Sequence, residues 1–163
     1  MIKNFILSVC ILILFSTYSF SAGSNDTATT KVKSDYAKAV DLIKFAKKYE
    51  KKDKLEKAKK RYEKAQKLLI KSNKKKPLQA DTLNYLGFTT RKLGDYENGE
   101  KYYLLGLEID PNHIGINEYL GELYVVTNRI DLAKERLNVL ANCNCEEYGE
   151  LKEIIDGTKQ SKY

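Results

Sequence analysis

The sequence predicts an all-α chain of about three stacked helix–turn–helix units, closed at its C-terminal end by a capping helix. Three observations predict it. Glycine and proline are scarce, 9 and 2 in 163 residues, which suits a mostly helical protein. Apolar residues recur at helical spacing with charges between them. Small residues recur at a fixed interval, the mark of units that bury their apolar faces only against one another.

The first residues read as an address rather than as structure. Lys3 gives Met1–Asn4 a positive charge, Phe5–Phe15 is an apolar run broken only by Ser8, and Ser19-Phe20-Ser21 puts small residues where a processing peptidase needs them. This is the layout of a secretory leader over 1–21, with cleavage expected after Ser21 or Ala22. The run is shorter than the ~20 residues that span a bilayer. Cys10 lies inside the run and follows the bulky Val9, so it is not read as a lipid-attachment site. Export places the mature chain in an oxidising compartment, the periplasm of a bacterial envelope. Residues 22–33 are rich in Ser, Thr, Asp and Gly, and are expected to form a disordered lead-in.

Charge is divided along the chain. Residues 31–77 hold 19 Lys/Arg against 6 Asp/Glu, whereas residues 78–163 hold 9 against 15. Most of the basic residues are Lys, and Arg, the better fork for phosphate, is scarce. A solvated Lys-rich face is therefore expected, with contact to an anionic membrane surface as a further expectation and no nucleic-acid partner.

The central unit sets the frame. Leu83, Leu86-Gly87, Gly94, Gly99, Tyr103, Gly106 and Pro111 mark a helix–turn–helix of 34 residues, Ala80–His113. Small residues fall where two helices would cross, and Pro111 ends the second helix. The following residues 114–147 repeat the pattern with Leu120-Gly121, Tyr124, Ala133 and Leu137. Asn117 replaces the first large residue there, which is expected to loosen the start of that unit. Upstream, Leu42, Phe45-Ala46, Tyr49, Ala58, Tyr62 and Ala65 give a first unit over 39–72, with Asp53 at its turn. A Lys-rich insertion, 73–79, separates the first two units and either extends the helix or forms a loop. Tyr148, Leu151, Ile154 and Ile155 stand at helical spacing before Gly157, a capping helix over 148–157.

The spacing around Gly87, Tyr103 and Pro111 resembles the tetratricopeptide repeat, with Leu83 in place of the usual Trp and Thr90 in place of the usual Tyr. His113-Ile114-Gly115, Glu118 to Tyr124 and Cys145-Glu146-Glu147-Tyr148 are similar to stretches of small exported tetratricopeptide proteins of proteobacteria. The resemblance implies a right-handed α-solenoid and a non-enzymatic protein–protein interaction module, with a partner peptide in the concave groove and no cofactor. Transferred position by position, it implies a groove lined by Ile43, Lys44, Lys47 and Lys51, then Asn84, Tyr85, Phe88 and Arg91, then Glu118, Tyr119, Glu122 and Val125. Such a groove would run from basic to acidic, with Phe88 and Tyr85 as an apolar anchor. Ile43 and Lys47 stand where the family's carboxylate clamp carries Lys and Asn, so recognition of an acidic chaperone tail is not expected.

Few residues suggest chemistry. His113, the single histidine, cannot form a triad or a metal site alone and reads as a turn residue. Cys143-Asn144-Cys145 allows a structural disulfide or free pair, a redox pair, or two thiolate ligands for a soft metal. A redox or metal-handling role through these cysteines is the alternative to the scaffold reading. Hydrolase, kinase and dinucleotide-binding readings lack their motifs: there is no G-x-S-x-G, phosphate-binding loop or G-x-G-x-x-G.

Overall fold

The computed structural model describes residues 32–161. The leader over 1–21, its cleavage point and nearly all of the 22–33 lead-in lie outside the described residues. Within them the chain forms α1 (Asp35–Glu50), α2 (Leu55–Lys75), α3 (Ala80–Lys92), α4 (Tyr96–Ile109), α5 (Ile114–Val126), α6 (Ile130–Leu140) and α7 (Glu146–Ile155), with no strand among them. Successive helices pair as α1 with α2, α3 with α4, and α5 with α6. The odd-numbered helices also touch one another in sequence, from α1 to α7, so they form one continuous wall of the stack.

Local chemistry explains the starts. The Ser34 hydroxyl accepts from the Ala37 N–H, and the Asp95 carboxylate from the Asn98 N–H, so each satisfies an amide that a helix start leaves unpaired. The segment 73–79 proves to be both alternatives. α2 runs on through Lys75, and residues 76–79 form the link, where Pro77 bars further helix and Leu78 adopts a φ of 56°.

The three inter-helix turns share one construction. Asp53, Gly94 and Asn128 occupy the same place in their units, with φ of 54°, 93° and 57°. Each following residue sends its N–H back across the turn: Lys54 to the Tyr49 carbonyl, Asp95 to Thr90 and Arg129 to Tyr124. Such a left-handed closure favours Gly, and tolerates Asp or Asn, whose short polar side chains suit that conformation.

Packing follows the small residues. A Cβ on Gly87 would lie 2.5 Å from the Tyr103 ring, one on Gly106 2.4 Å from Ile116 Cδ1, and one on Gly121 2.5 Å from Leu151 Cδ2. These glycines let α3 close on α4, α4 on α5, and α5 on the capping helix α7. Leu151 and Ile154 of α7 are buried, so the cap covers the apolar face that α5 would otherwise leave open.

One position differs between equivalent units, and one expectation needs correction. Phe45 occupies the place in its unit that Leu86 holds in the next, yet Phe45 is 52% exposed and Leu86 1%. Among the described residues no helix precedes α1, so nothing covers that side of it. Asn117 does not loosen its unit. It is fully buried, and its side-chain amide donates to the Pro111 and His113 carbonyls at 3.0 and 3.1 Å, tying the loop to the first turns of α5.

The Tyr103 hydroxyl is buried without a hydrogen-bond partner among the described residues. A buried hydroxyl lacking a partner costs free energy. Tyr103→Phe is expected to raise unfolding stability by about 1 kcal/mol, measured by chemical denaturation.

Candidate functional site

The odd-numbered helices bring the residues of the implied groove onto one wall, but they do not present them equally. Lys44 and Lys51 are exposed, and Lys47, Tyr85, Tyr119 and Val125 are half-buried. Ile43, Asn84, Phe88, Arg91, Glu118 and Glu122 are buried. The apolar anchor is therefore corrected. Phe88 lies beneath the wall, edge-on to Tyr62 with ring centroids 5.7 Å apart and 4.9 Å from the Tyr119 ring. Lys47 covers it, its Nζ 4.6 Å from the ring centroid. Tyr85 packs against Tyr36 at 6.0 Å.

The same wall carries a polar network that joins the units. The Lys47 ammonium donates to the Tyr119 hydroxyl at 3.0 Å, linking α1 to α5. Arg91 on α3 reaches α5 twice, donating to the Tyr119 carbonyl at 2.8 Å and to Glu122 Oε2 at 3.1 Å. Lys92 pairs with Glu50 Oε1 at 2.5 Å, and the Tyr62 hydroxyl donates to Glu50 Oε2 at 2.8 Å. Burial pushes the Lys92 ammonium below its ordinary range, with Glu50 pulling it back. For Glu122, burial raises the carboxyl above its ordinary value, and Arg91 only partly offsets it.

Between α1, the start of α2, α5 and α7 lies an open cavity of about 550 Å³. Lys47, Lys51, Glu118, Tyr119 and Glu122 line it, as the implied groove requires, together with Glu50, Leu55, Glu146, Glu147 and Glu150. Lys44, Asn84, Tyr85, Phe88 and Arg91 do not. The charge arrangement differs from a gradient along the groove: lysines of the first unit and carboxylates of the third face one another across a single hollow. Glu118 sits in its wall, 6% exposed. Burial, then the carboxylates of Glu122, Glu150 and Glu147, push Glu118 up to about 8.

The carboxylates of α7 are the residues that the sequence reading passed over. Glu146 and Glu147 start that helix, where its dipole favours negative charge, and Glu150 follows one turn later. Their approach to α1 depends on how far the stack curves, which helical spacing does not reveal.

His113 caps α5. Its Nδ1 accepts from the Ile116 N–H at 3.1 Å, and its Nε2 lies 3.2 Å from Asp81. Cys143 and Cys145 are joined by a disulfide, with Cα atoms 5.2 Å apart, in the loop between α6 and α7. Among the described residues no group of three or more His, Cys, Asp or Glu is placed to hold a metal ion, and no helix is long and apolar enough to cross a membrane.

Comparison with known proteins bears on the fold. Residues 80–113 match the family described as tetratricopeptide repeat. No curated protein sequence is similar enough to the chain to count as a match. Among solved structures, the chain resembles the Yersinia enterocolitica type III secretion translocator chaperone SycD, with TM-score 0.52, 16% identity, and 72% of this chain and 81% of that one covered. It also resembles the first TPR of Spaghetti (RPAP3) bound to the HSP90 peptide SRMEEVD, with TM-score 0.52, 19% identity, and 78% and 98% covered. For the first TPR domain of human RPAP3 the TM-score is 0.53 at 19% identity, covering 77% and 98%. The helix pairs, their left-handed turn residues and the glycines at their crossings thus assemble a tetratricopeptide-repeat fold, and residues 80–113 are a tetratricopeptide repeat.

Proposed function

We propose that the chain is a non-enzymatic interaction scaffold of a bacterial envelope, which holds a peptide or an extended segment of a partner protein against its concave wall. The observation that carries this reading is the open cavity of about 550 Å³ where α1, α5 and α7 converge. Its size suits a side chain and its flanking backbone. Its lining mixes aromatic surface with charge, the combination that fixes register in a partner segment. Two structural neighbours are described as a translocator chaperone and as a peptide-bound domain, which supports the same reading. Envelope location rests on the leader-like residues 1–21 and on a chain that keeps two nearby cysteines.

Site-specific photo-crosslinking in the cells that make the protein tests the proposal. A photoreactive residue at Lys51 or Glu146, both exposed at the cavity, is expected to capture a discrete envelope protein. The same residue at Leu104, exposed on α4, is the control. Equal capture from all three positions, or none from the cavity, overturns it. A redox role for Cys143 and Cys145 takes its support from their bond alone. It requires an oxidising potential in a thiol titration.

A further inference from the structure

We infer that the cavity between α1, α5 and α7 takes a cationic side chain of the partner, lysine or arginine, with Glu118 as its counter-ion. This rests on the concave wall being the partner-binding face and names the chemistry it recognises there.

Glu118 is the first reason. It is 6% exposed, lines the cavity, and makes no hydrogen bond or ion pair among the described residues. A buried carboxyl ordinarily has a partner, and one aimed into an open cavity is placed to receive it from outside. The other carboxylates sort into two sets. Glu50 is tied to Lys92, Glu122 to Arg91, and Glu150 to Lys159 at 3.0 Å. Glu146 and Glu147 form no ion pair among the described residues, and they add negative charge beside Glu118.

Lys47 is the second reason, because it demonstrates how an ammonium rests here. Its Nζ lies over Phe88 and 5.2 Å from the Tyr119 ring centroid while donating to the Tyr119 hydroxyl. Of the two rings only Tyr119 lines the cavity, and its electron-rich face suits a cation. A guest guanidinium or ammonium would sit beside Lys47, nearer α7, where carboxylates outnumber lysines. The carboxylates are too dispersed for a metal ion: no group of three among the described residues is gathered for one.

The groups facing Glu118 set a pH dependence. They are Glu122 and Tyr119 on its own helix, Glu147 and Glu150 from α7, Lys47 from α1, Tyr85 from α3 and Tyr103 from α4, the three tyrosines being groups whose own titration feels Glu118. With Glu118 pushed up to about 8, the free site holds a proton at neutral pH. A bound cation favours the carboxylate and expels that proton. Affinity therefore rises with pH, by at most about tenfold per unit below pH 8.

The test titrates the full mature chain with capped pentaarginine at physiological salt, read by calorimetry at pH 6 and pH 8. Capped pentacitrulline, its uncharged near-isostere, and capped pentaglutamate are the controls. Pentaarginine alone is expected to bind, about tenfold or more tighter at pH 8 than at pH 6. Glu118→Gln, which resembles the protonated side chain already accommodated, is expected to lose about tenfold at pH 8 and to abolish the pH dependence. Glu97→Gln, exposed on α4, is expected to leave both unchanged. Unaltered binding by Glu118→Gln, tighter binding of pentaglutamate, or saturable calcium binding that Glu118→Gln removes would each overturn the assignment. If Lys51 still crosslinks a partner while pentaarginine fails to bind, the cationic site falls and the scaffold reading stands. Failure of both removes both.

Discussion

Replacing Arg91 by methionine is expected to lower stability by about 3–5 kcal/mol, which for a domain of this size is a fall of roughly 10–20 °C in Tm. Arg91 is 2% exposed, and its two terminal nitrogens bond to the Tyr119 carbonyl and to Glu122, which is itself 4% exposed. Methionine fills much of the same volume but leaves Glu122 as an isolated charge within the wall. The cost comes from that stranded carboxylate more than from the lost attraction, because a buried pair gains little over two apolar residues. Arg91→Met combined with Glu122→Leu is therefore expected to recover most of the loss, measured by urea denaturation. A double variant as unstable as the single one would show that Arg91 acts through packing against Gly99 and the turn, not through Glu122. Burial already pushes Glu122 above its ordinary range. The single variant should accordingly be less impaired at pH 5 than at pH 8, since protonation removes the stranded charge.

That residue also shows where reading the sequence succeeds and where it stops. Interval and residue size were legible: Gly87, Gly99 and Gly106 mark a helix crossing because only small residues allow it, and Leu151 and Ile154 mark a cap because they share one helical face. Those features depend on one helix and its immediate neighbour. The resemblance to the tetratricopeptide repeat implied that Arg91, Phe88 and Glu118 line the inner wall; they lie on the odd-numbered helices that form that wall, and all three are buried. It could not tell a wall that is lined from one that is sealed. Whether Phe88 is an anchor or an interior side chain depends on Lys47, contributed by another helix 41 positions earlier in the sequence. Whether Glu118 ends a gradient or faces lysines depends on the curvature of the stack. Curvature sums many small packing angles, and no single residue carries it. The turns were the intermediate case. Gly94 was legible, as was Asp53, but Asn128 in the same role emerges only when the three left-handed conformations are compared.

Glu118 gives the second large effect, one that needs no ligand. Its carboxyl titrates at about 8 in the folded chain against 4.5 ordinarily. The folded state therefore keeps a proton that the unfolded state has released between those values. Proton binding is larger in the native state throughout this window, so stability must fall as pH rises through it. Below pH 4.5 the contribution is fully present, and above pH 8 it is lost. The full shift corresponds to an upper bound of about 5 kcal/mol, and access of water to the open cavity brings the expected loss to about 2–4 kcal/mol. Glu122 adds to the same trend, its carboxyl also being raised. The carboxyls of Asp35, Asp41 and Asp95 are lowered by hydrogen bonds to Lys75, Lys33 and Asn98, and act the other way, but only in acid below their ordinary value of 3.8. Greatest stability is thus expected near pH 5, with denaturation midpoints declining from there to pH 8. Glu118→Gln is expected to flatten most of that slope and to exceed the native chain in stability at pH 8. A variant that kept the full slope would place the responsible proton elsewhere, with Glu122 the first residue to substitute. The expected loss of stability toward pH 8 and the proposed cation site then have one origin, a carboxyl that the fold buries at the wall of its own groove and that has no ion-pair partner among the described residues.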